Sequence, residues 1–216
     1  SLVAQFSYNE NGTGIQSSSS TASGLYSTAM GVESTASGEY STAMGNFTTA
    51  SRFYSTAMGL LTTANGRAST AVGMQTTASG EYSTAMGVET TASGDRSTAM
   101  GWNTNAQDFA SVSIGIYNKT DETPNPDSFS YQNTAFVIGN GVSDNRSNAF
   151  EVLFDGTTTI AGNVTVPAFI GDGSQLTNLP TPTVNYSDIT NVPLSYNENG
   201  TGIQSSSNNA SGGYSI

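Results

Sequence analysis

The sequence predicts an all-β solenoid in which each coil takes 14 residues. An alanine column repeats at this spacing from Ala22 to Ala106, and a glycine column repeats from Gly31 to Gly115. A period held this long is typical of stacked repeats in which each unit contacts its neighbours. Glycine at nearly every seventh position would cost a helix about 1 kcal/mol each. Short strands with tight glycine corners are therefore expected.

Side-chain alternation along one strand assigns the two faces of the coil. In Ser41–Gly45, Ala43 lies on one side of the strand and Met44 on the other. The alanine side is small in every copy, which suits the inside of a narrow coil. The alanines predicted to point inward are Ala29, Ala43, Ala57, Ala71, Ala85 and Ala99.

The opposite side of the same strands carries a column of larger apolar residues, predicted to lie outside the coil. Its members are Met30, Met44, Met58, Val72, Met86, Met100 and Ile114. A continuous exposed apolar stripe usually marks an interaction surface. Because every copy of the chain carries the same stripe, we expect a parallel homo-oligomer with this column as the oligomer interface, on the symmetry axis.

The corners between strands vary where the columns do not, and several corner residues are aromatic. The candidate ligand-facing residues are Glu39, Tyr40, Phe53, Tyr54, Glu81 and Tyr82 at one corner and Trp102 at the other. Variable, partly aromatic positions on a rigid scaffold suit a binding surface. A simpler interpretation is that the tyrosines stack to cover a corner, and the sequence leaves both open.

The repeated motifs resemble those of a known family. Ser-Thr-Ala-Met-Gly, its variant Ser111–Gly115, and the partner motif Thr-Ala-Ser-Gly resemble the 14-residue head repeat of trimeric autotransporter adhesins, such as the Yersinia adhesin head. The resemblance covers residues 21–117. It implies a left-handed parallel β-roll, three chains side by side, and a role in surface attachment.

The chain divides into six predicted segments. These are 1–20, the end of a preceding connector and the start of the roll; 21–117, the roll; 118–133, a polar loop; 134–180, a small β connector unit; 181–194, a proline-rich linker; and 195–216, the start of a second roll. Residues Ser7–Ser19 recur identically at Ser195–Ser207. We therefore expect a tandem array of rolls and connectors, of which this chain is an interior part.

The connector is predicted from strand-like runs and a hairpin turn. Thr134–Gly139, Ala149–Phe154 and Asn163–Pro167 are predicted strands, and Asp155–Gly156 followed by a threonine run indicates a hairpin. The connector also resembles units of phage tail fibres and large secreted bacterial fibre proteins. That resemblance lies in Ser147–Val152 and Phe169–Leu179.

Composition argues against several function classes. The chain has no Cys and no His, and its net charge is −11 with 5 basic residues. No serine has a histidine base, so neither an enzyme nor a cofactor is expected, and the acidity disfavours nucleic acid. No apolar run approaches the roughly 20 residues that span a bilayer. Asp121, Glu122 and Asp127 match no metal-binding loop and suit a solvated acidic loop better.

The predicted function is that of a structural and adhesive module in an extracellular bacterial or phage fibre. Its partners would be copies of itself, most simply in a trimer, and host-cell or prey-cell surfaces or matrix components. The expected location is the cell surface or a virion-like tail fibre. One alternative is a passive spacer in the tail fibre of a phage or injection system. Another is an ice-binding solenoid, since Thr35 and Ser37 begin a regular hydroxyl array.

Overall fold

The structure is a computed structural model that describes residues 6–8, 12, 14–165, 195–196 and 203–204. The chain divides into two compact units, Ser1–Thr165 and Val166–Ile216. Within the described residues every regular element is a β-strand. None of them forms a helix long and apolar enough to cross a bilayer.

The first unit is a solenoid with two sheets of parallel strands that alternate along the chain. The long strands form sheet A: β2 (Ile15–Ser17), β4 (Thr28–Val32), β6 (Thr42–Asn46), β8 (Thr56–Leu60), β10 (Thr70–Met74), β12 (Thr84–Val88), β14 (Thr98–Trp102) and β16 (Val112–Ile116). The short strands form sheet B: β3 (Thr21–Ala22), β5 (Thr35–Ala36), β7 (Thr49–Ala50), β9 (Thr63–Ala64), β11 (Thr77–Ala78), β13 (Thr91–Ala92) and β15 (Asn105–Ala106). From β4 to β16, each strand pairs with the strand 14 residues away. The predicted parallel solenoid of 14-residue coils is confirmed.

The interior of the solenoid is built from alanine, as the alternation predicts. Every alanine at seven-residue spacing from Ala22 to Ala99 is fully buried. Two alanine columns, one from each sheet, therefore meet across the coil. Their small volume lets the two sheets approach closely, which confirms the inward assignment of the alanine face.

Two columns of buried hydroxyls complete the interior, and the sequence analysis missed them. Serine or threonine is buried at every seventh position from Ser20 to Ser111. In the column from Ser27 to Ser111 most hydroxyls close a corner, as where Ser55 donates to the Arg52 carbonyl at 2.7 Å and Ser83 to the Gly80 carbonyl at 2.7 Å. The buried hydroxyls of Ser41 and Ser97 have no hydrogen-bond partner among the described residues. The small core is therefore half polar, with hydroxyls at the corners where strand hydrogen bonds end.

The sequence analysis predicted tight glycine corners, but glycine does not form all of them. Gly45 lies inside β6, and the left-handed corner residues are variable ones such as Tyr40 (φ 55°) and Phe47 (φ 53°). A left-handed conformation costs such residues about 1–2 kcal/mol. Their amides offset part of this by continuing the ladder, with Tyr40 N donating to the Leu25 carbonyl at 2.8 Å. Glycine is required inside the strand because a Cβ at Gly45 would lie 2.0 Å from the Gly59 carbonyl oxygen.

Side-chain amides close both ends of sheet B. At the first end, Gln16 Oε1 accepts the Ala22 amide at 2.9 Å. At the last end, Asn118 Oδ1 accepts the Asn105 amide at 2.7 Å, and Asn118 Nδ2 donates to the Asn105 carbonyl at 3.0 Å. Each carboxamide takes the place of the backbone of an absent neighbouring strand. A side-chain amide therefore satisfies a peptide group at each end of sheet B.

Sheet A extends beyond the roll at both ends. At the first, β1 (Phe6–Tyr8) pairs antiparallel with β2. At the other, β17 (Thr134–Asn140) pairs parallel with β16, and Ser113 faces Val137 in the register. The last coil contains the polar loop 118–133, which the buried Asp108 holds by accepting the Asn125 and Thr134 amides, each at 2.8 Å. Pairing in sheet A therefore crosses the predicted boundary at residue 118 without a break.

The described part of the connector is a meander on this sheet edge. The strand β18 (Asn148–Leu153) pairs antiparallel with β17, and β19 (Thr158–Ile160) pairs antiparallel with β18. The turn at Asp155–Gly156 is confirmed as the hairpin connection. The predicted strand at 163–167 is wrong where it is described, because residues 163–165 form no strand. Residues 166–167 lie outside the described residues.

The second unit contains one described hairpin, β20 (Ser195–Tyr196) with β21 (Ile203–Gln204). Ser195 pairs with Gln204 just as Ser7 pairs with Gln16, so the sequence repeat is also a repeat in register. Three predicted parts of the chain lie outside the described residues. They are the linker 181–194, the fibre-like motif at 169–179, and the remainder of the segment that starts the second roll.

Candidate functional site

The methionine column forms a ridge on the outer face of sheet A. Strand register places its members in one line: Met30, Met44, Met58, Val72, Met86, Met100 and Ile114. None belongs to the buried core, and Met86 and Met100 are 43% and 41% exposed. The line continues past the roll to Ile138, which pairs with Ile114 and is 36% exposed. We call these eight side chains the ridge.

More apolar side chains flank the ridge. The outward residues two positions further along the strands include Val32, Leu60, Trp102 and Ile116, which are 51%, 37%, 50% and 42% exposed. Because they lie on the same face of sheet A as the ridge, they widen it into an apolar surface. This surface runs along every coil of the roll.

The first corner, between sheet B and the following long strand, carries a ladder of aromatic rings. Tyr26, Tyr40 and Tyr54 stack in sequence, with ring centroids 5.1 Å apart in each pair and planes inclined by 20° and 19°. Phe53 packs edge-on against Tyr54 at 4.2 Å. The structure thus groups Glu39, Tyr40, Phe53 and Tyr54 at one corner, with Glu81 and Tyr82 further along it.

Arginines extend this ladder, a feature that the sequence analysis missed. Ala68 interrupts the tyrosine column, and the guanidinium of Arg67 lies 6.0 Å from the Phe53 ring and 5.8 Å from the Tyr82 ring. Arg96 lies 5.4 Å from the Tyr82 ring. Cation–π contacts of this kind are worth about 0.5–1 kcal/mol at exposed sites. The corner is therefore one continuous stack in which arginines bridge neighbouring coils.

Trp102 lies apart from the other candidate residues. It belongs to the second corner, where its ring meets Tyr117 at 5.4 Å and 60°. Arg146 lies between β17 and β18, and its guanidinium is 5.6 Å from the centre of the Tyr117 ring. The seven candidate corner residues therefore form two separate surfaces, as their positions in the repeat predict.

The acidic residues of the polar loop do not converge. Asp121, Glu122 and Asp127 are all exposed, and Asp121 Oδ1 accepts the Thr123 amide at 3.0 Å within its own turn. Across the part of the chain that the structure describes, no three acidic side chains are grouped closely enough to hold a metal ion.

Comparison with known families identifies the repeat. The family model described as YadA head domain repeat (2 copies) matches residues 22–48, 53–76 and 78–104. All three matches lie within the roll, and each spans about two coils. No curated protein and no solved structure matches the chain.

This family agrees with the geometry. The matched stretches contain most of the alanine columns, most of the strand glycines and most of the ridge. The YadA head is a cell-surface domain associated with adhesion by trimeric autotransporter adhesins. The roll of this chain therefore matches the YadA head domain repeat, and its fold fits a head-like repeat of trimeric autotransporter adhesins.

Proposed function

We propose that three copies of this chain associate in parallel along their ridges and that the resulting rigid fibre mediates surface attachment outside the cell. The observation that carries the proposal is the ridge, an unbroken apolar line across every long strand from β4 to β16. A parallel rotational arrangement would bring each ridge residue against its own copies.

The energetics favour association along the whole roll rather than at one coil. Full burial of one large apolar side chain gains about 1.5–3 kcal/mol, and a side chain that is already more than half buried gains less than half of that. No ridge residue is more than 43% exposed, so the eight together supply less than about 6–12 kcal/mol per chain, against the roughly 4–15 kcal/mol that association costs. Burial of the flanking apolar residues supplies the remaining free energy that association needs. A few coils alone would not hold copies together.

The association can be tested by light scattering on the 216-residue chain. We expect three times the chain mass of 22.2 kDa. Met58→Asp would place one carboxylate per copy at the axis, where burial without a partner is costly, and should dissociate or unfold the assembly. Met58→Leu is the matched control and should keep it. A wild-type mass of one chain, or an intact Met58→Asp oligomer, would contradict the proposal.

Attachment is tested separately, on beads that display the chain over cultured cells and over immobilised matrix proteins. Replacing Glu39, Tyr40, Phe53 and Tyr54 together by serine should reduce attachment, because these side chains form the first-corner surface. Tyr131→Ser, which removes an exposed ring from the polar loop, is the control. A passive spacer would show the same retention for all three proteins.

A further inference from the structure

A groove about 500 Å³ in volume runs along the roll between the outer face of sheet B and the first corner. We propose that this groove binds a neutral oligosaccharide. Its floor is a row of residues that directly follow the sheet B strands, and its wall is formed by first-corner side chains from the same four coils. The floor residues are Ser37, Ser51, Asn65 and Ser79, and the wall residues are Glu39, Phe53, Arg67 and Glu81. The inference rests on the attachment role proposed above and names the ligand class.

Phe53 provides the apolar surface that a sugar ring needs. It is the single aromatic side chain in the groove lining. Edge-on contacts with Tyr40 at 5.8 Å and Tyr54 at 4.2 Å hold its ring in place. A pyranose has one face of C–H groups, and a fixed aromatic ring binds such a face with little loss of conformational entropy.

The remaining side chains of the lining can both donate hydrogen bonds to hydroxyl groups and accept hydrogen bonds from them. Asn65 offers a carbonyl and an amide, Arg52 and Arg67 are donors, and Glu39 and Glu81 are acceptors. The two guanidinium charges balance the two carboxylate charges. A groove without net charge has no reason to attract an anionic or cationic ligand, so a neutral ligand with many hydroxyls fits best.

One departure from the repeat lies in this groove. Arg52 occupies the column that holds glycine in the neighbouring coils, where a Cβ at Gly66 would lie 2.0 Å from the Gly80 carbonyl oxygen. Gly38 and Gly66 donate their amides to the alanine carbonyl of the next coil. The Arg52 amide instead donates to the Ser55 hydroxyl at 3.1 Å, a contact that the Gly66 amide also makes to the Ser69 hydroxyl at 3.2 Å. A residue that breaks a structural rule at some cost is expected at functional sites.

The lining disfavours a polypeptide. The strands beneath the groove, β5, β7, β9 and β11, are each paired on both sides. No strand edge is therefore open for an extended peptide to pair with. No aliphatic side chain lines the groove either, so it lacks a pocket for an apolar anchor residue.

The groove stays accessible in the proposed trimer because it lies on sheet B, whereas the ridge lies on sheet A. A trimer would then present three parallel grooves. Weak binding of single sugars would be multiplied when one polysaccharide-coated surface engages several grooves.

The test is titration calorimetry of the full chain with three neutral hexasaccharides: cellohexaose, maltohexaose and chitohexaose. We expect at least one to bind, Phe53→Ala to weaken that affinity more than ten-fold, and Asn65→Ala to weaken it several-fold. Phe47→Ala removes an exposed phenylalanine from the second corner and is the matched control, expected to bind as wild type. A sulfated heparin hexasaccharide, as an anionic probe, should not bind.

Absence of binding by all three hexasaccharides would overturn the inference, and so would equal binding by wild type and Phe53→Ala, or binding of the heparin fragment alone. The result is separable from the attachment role. Loss of attachment in the four-serine variant without hexasaccharide binding would leave the attachment role standing and remove the sugar. Hexasaccharide binding without attachment would keep the sugar site and contradict the attachment role.

Discussion

The interior and the first corner of the roll repeat with the same 14-residue period but under different constraints. An interior alanine such as Ala71 is fully buried and is stacked between identical residues of the two neighbouring coils. A corner residue such as Tyr54 also stacks on its neighbour, yet 53% of its surface is exposed. The interior column consequently stays alanine, while the corner column changes from tyrosine to alanine to arginine.

This difference shows how a narrow solenoid separates stability from recognition. Backbone ladders and small side chains hold the coils together, and they leave no room for variation inside. The corners face solvent, so their side chains can change without disturbing the ladder. Five predictions test how sharp this division is, and they are given in order of decreasing effect.

The largest effect is expected for Gly73→Ala in β10. The new Cβ would lie 2.0 Å from the Gly87 carbonyl oxygen, at a φ of +126°. Because both atoms belong to the rigid ladder, we expect more than about 4 kcal/mol of destabilisation or failure to fold, measured by circular dichroism and thermal unfolding. Gly162→Ala, where nothing lies within 4 Å, should remain within about 0.5 kcal/mol. A folded Gly73→Ala protein of normal stability would contradict the packing described here.

Ala71→Val tests the width of the interior. Two extra methyl groups between paired coils should cost about 1–3 kcal/mol in the free energy of unfolding. Val137, which is fully buried on β17 and pairs with Ser113, tests the opposite change in volume. Val137→Ala should cost about 2 kcal/mol in the free energy of unfolding through a cavity. Both variants would be measured by denaturant unfolding, and a stabilised Ala71→Val would mean that the interior holds unused space.

Asn118→Ala tests the closure of sheet B. The change leaves the Asn105 amide without its partner at the end of the sheet, while the Asn105 carbonyl keeps only the Ser113 hydroxyl as a donor, at 2.9 Å. We expect a loss of about 2 kcal/mol and faster hydrogen exchange of the Asn105 amide, with the central coils unaffected. Asn140→Ala, at an exposed position on β17, is the control and should exchange as wild type.

Two alanines three positions apart give a direct comparison of corner and interior. Ala68 lies at the first corner with a φ of 51°, so Ala68→Gly relieves about 1 kcal/mol of left-handed cost while losing a similar amount of chain entropy. Its stability should stay within about 0.5 kcal/mol of wild type. Ala71→Gly relieves nothing and should lose about 1 kcal/mol. Equal losses of stability in the two variants, measured by thermal unfolding, would contradict the distinction between corner and interior.

The smallest effect concerns the ionisation of the tyrosine ladder. Desolvation in the stack, followed by the charge of Glu39 and the neighbouring Tyr26 and Tyr54, raises the pKa of Tyr40 above its ordinary 10.0. The folded state therefore holds this proton more tightly than the unfolded state. The contribution to stability is complete below pH 10 and is lost as pH rises through the folded-state pKa. Glu39→Gln should lower that pKa in an ultraviolet phenolate titration; an unchanged curve would exclude the carboxylate as a cause.

The sequence by itself determined the solenoid, its coil length, its alanine interior and the outward position of the ridge. Each depends on local rules that hold in every copy: alternation along a strand, the smallness of alanine, and the exclusion of helix by repeated glycine. Repetition made these rules easy to recognise, because every coil shows the same residue type at the same position.

Only the tertiary structure decided what depends on contacts between coils or at the ends of the roll. The left-handed corners at Tyr40 and Phe47 follow from ladder hydrogen bonds that outweigh local preference. The end closures by Gln16 and Asn118 require side chains from outside sheet B to reach its last strands. The Phe53 groove exists because side chains from four coils line one volume. Such features arise from contacts between different coils or at the ends of the roll, about which the pattern of one repeat unit carries no information.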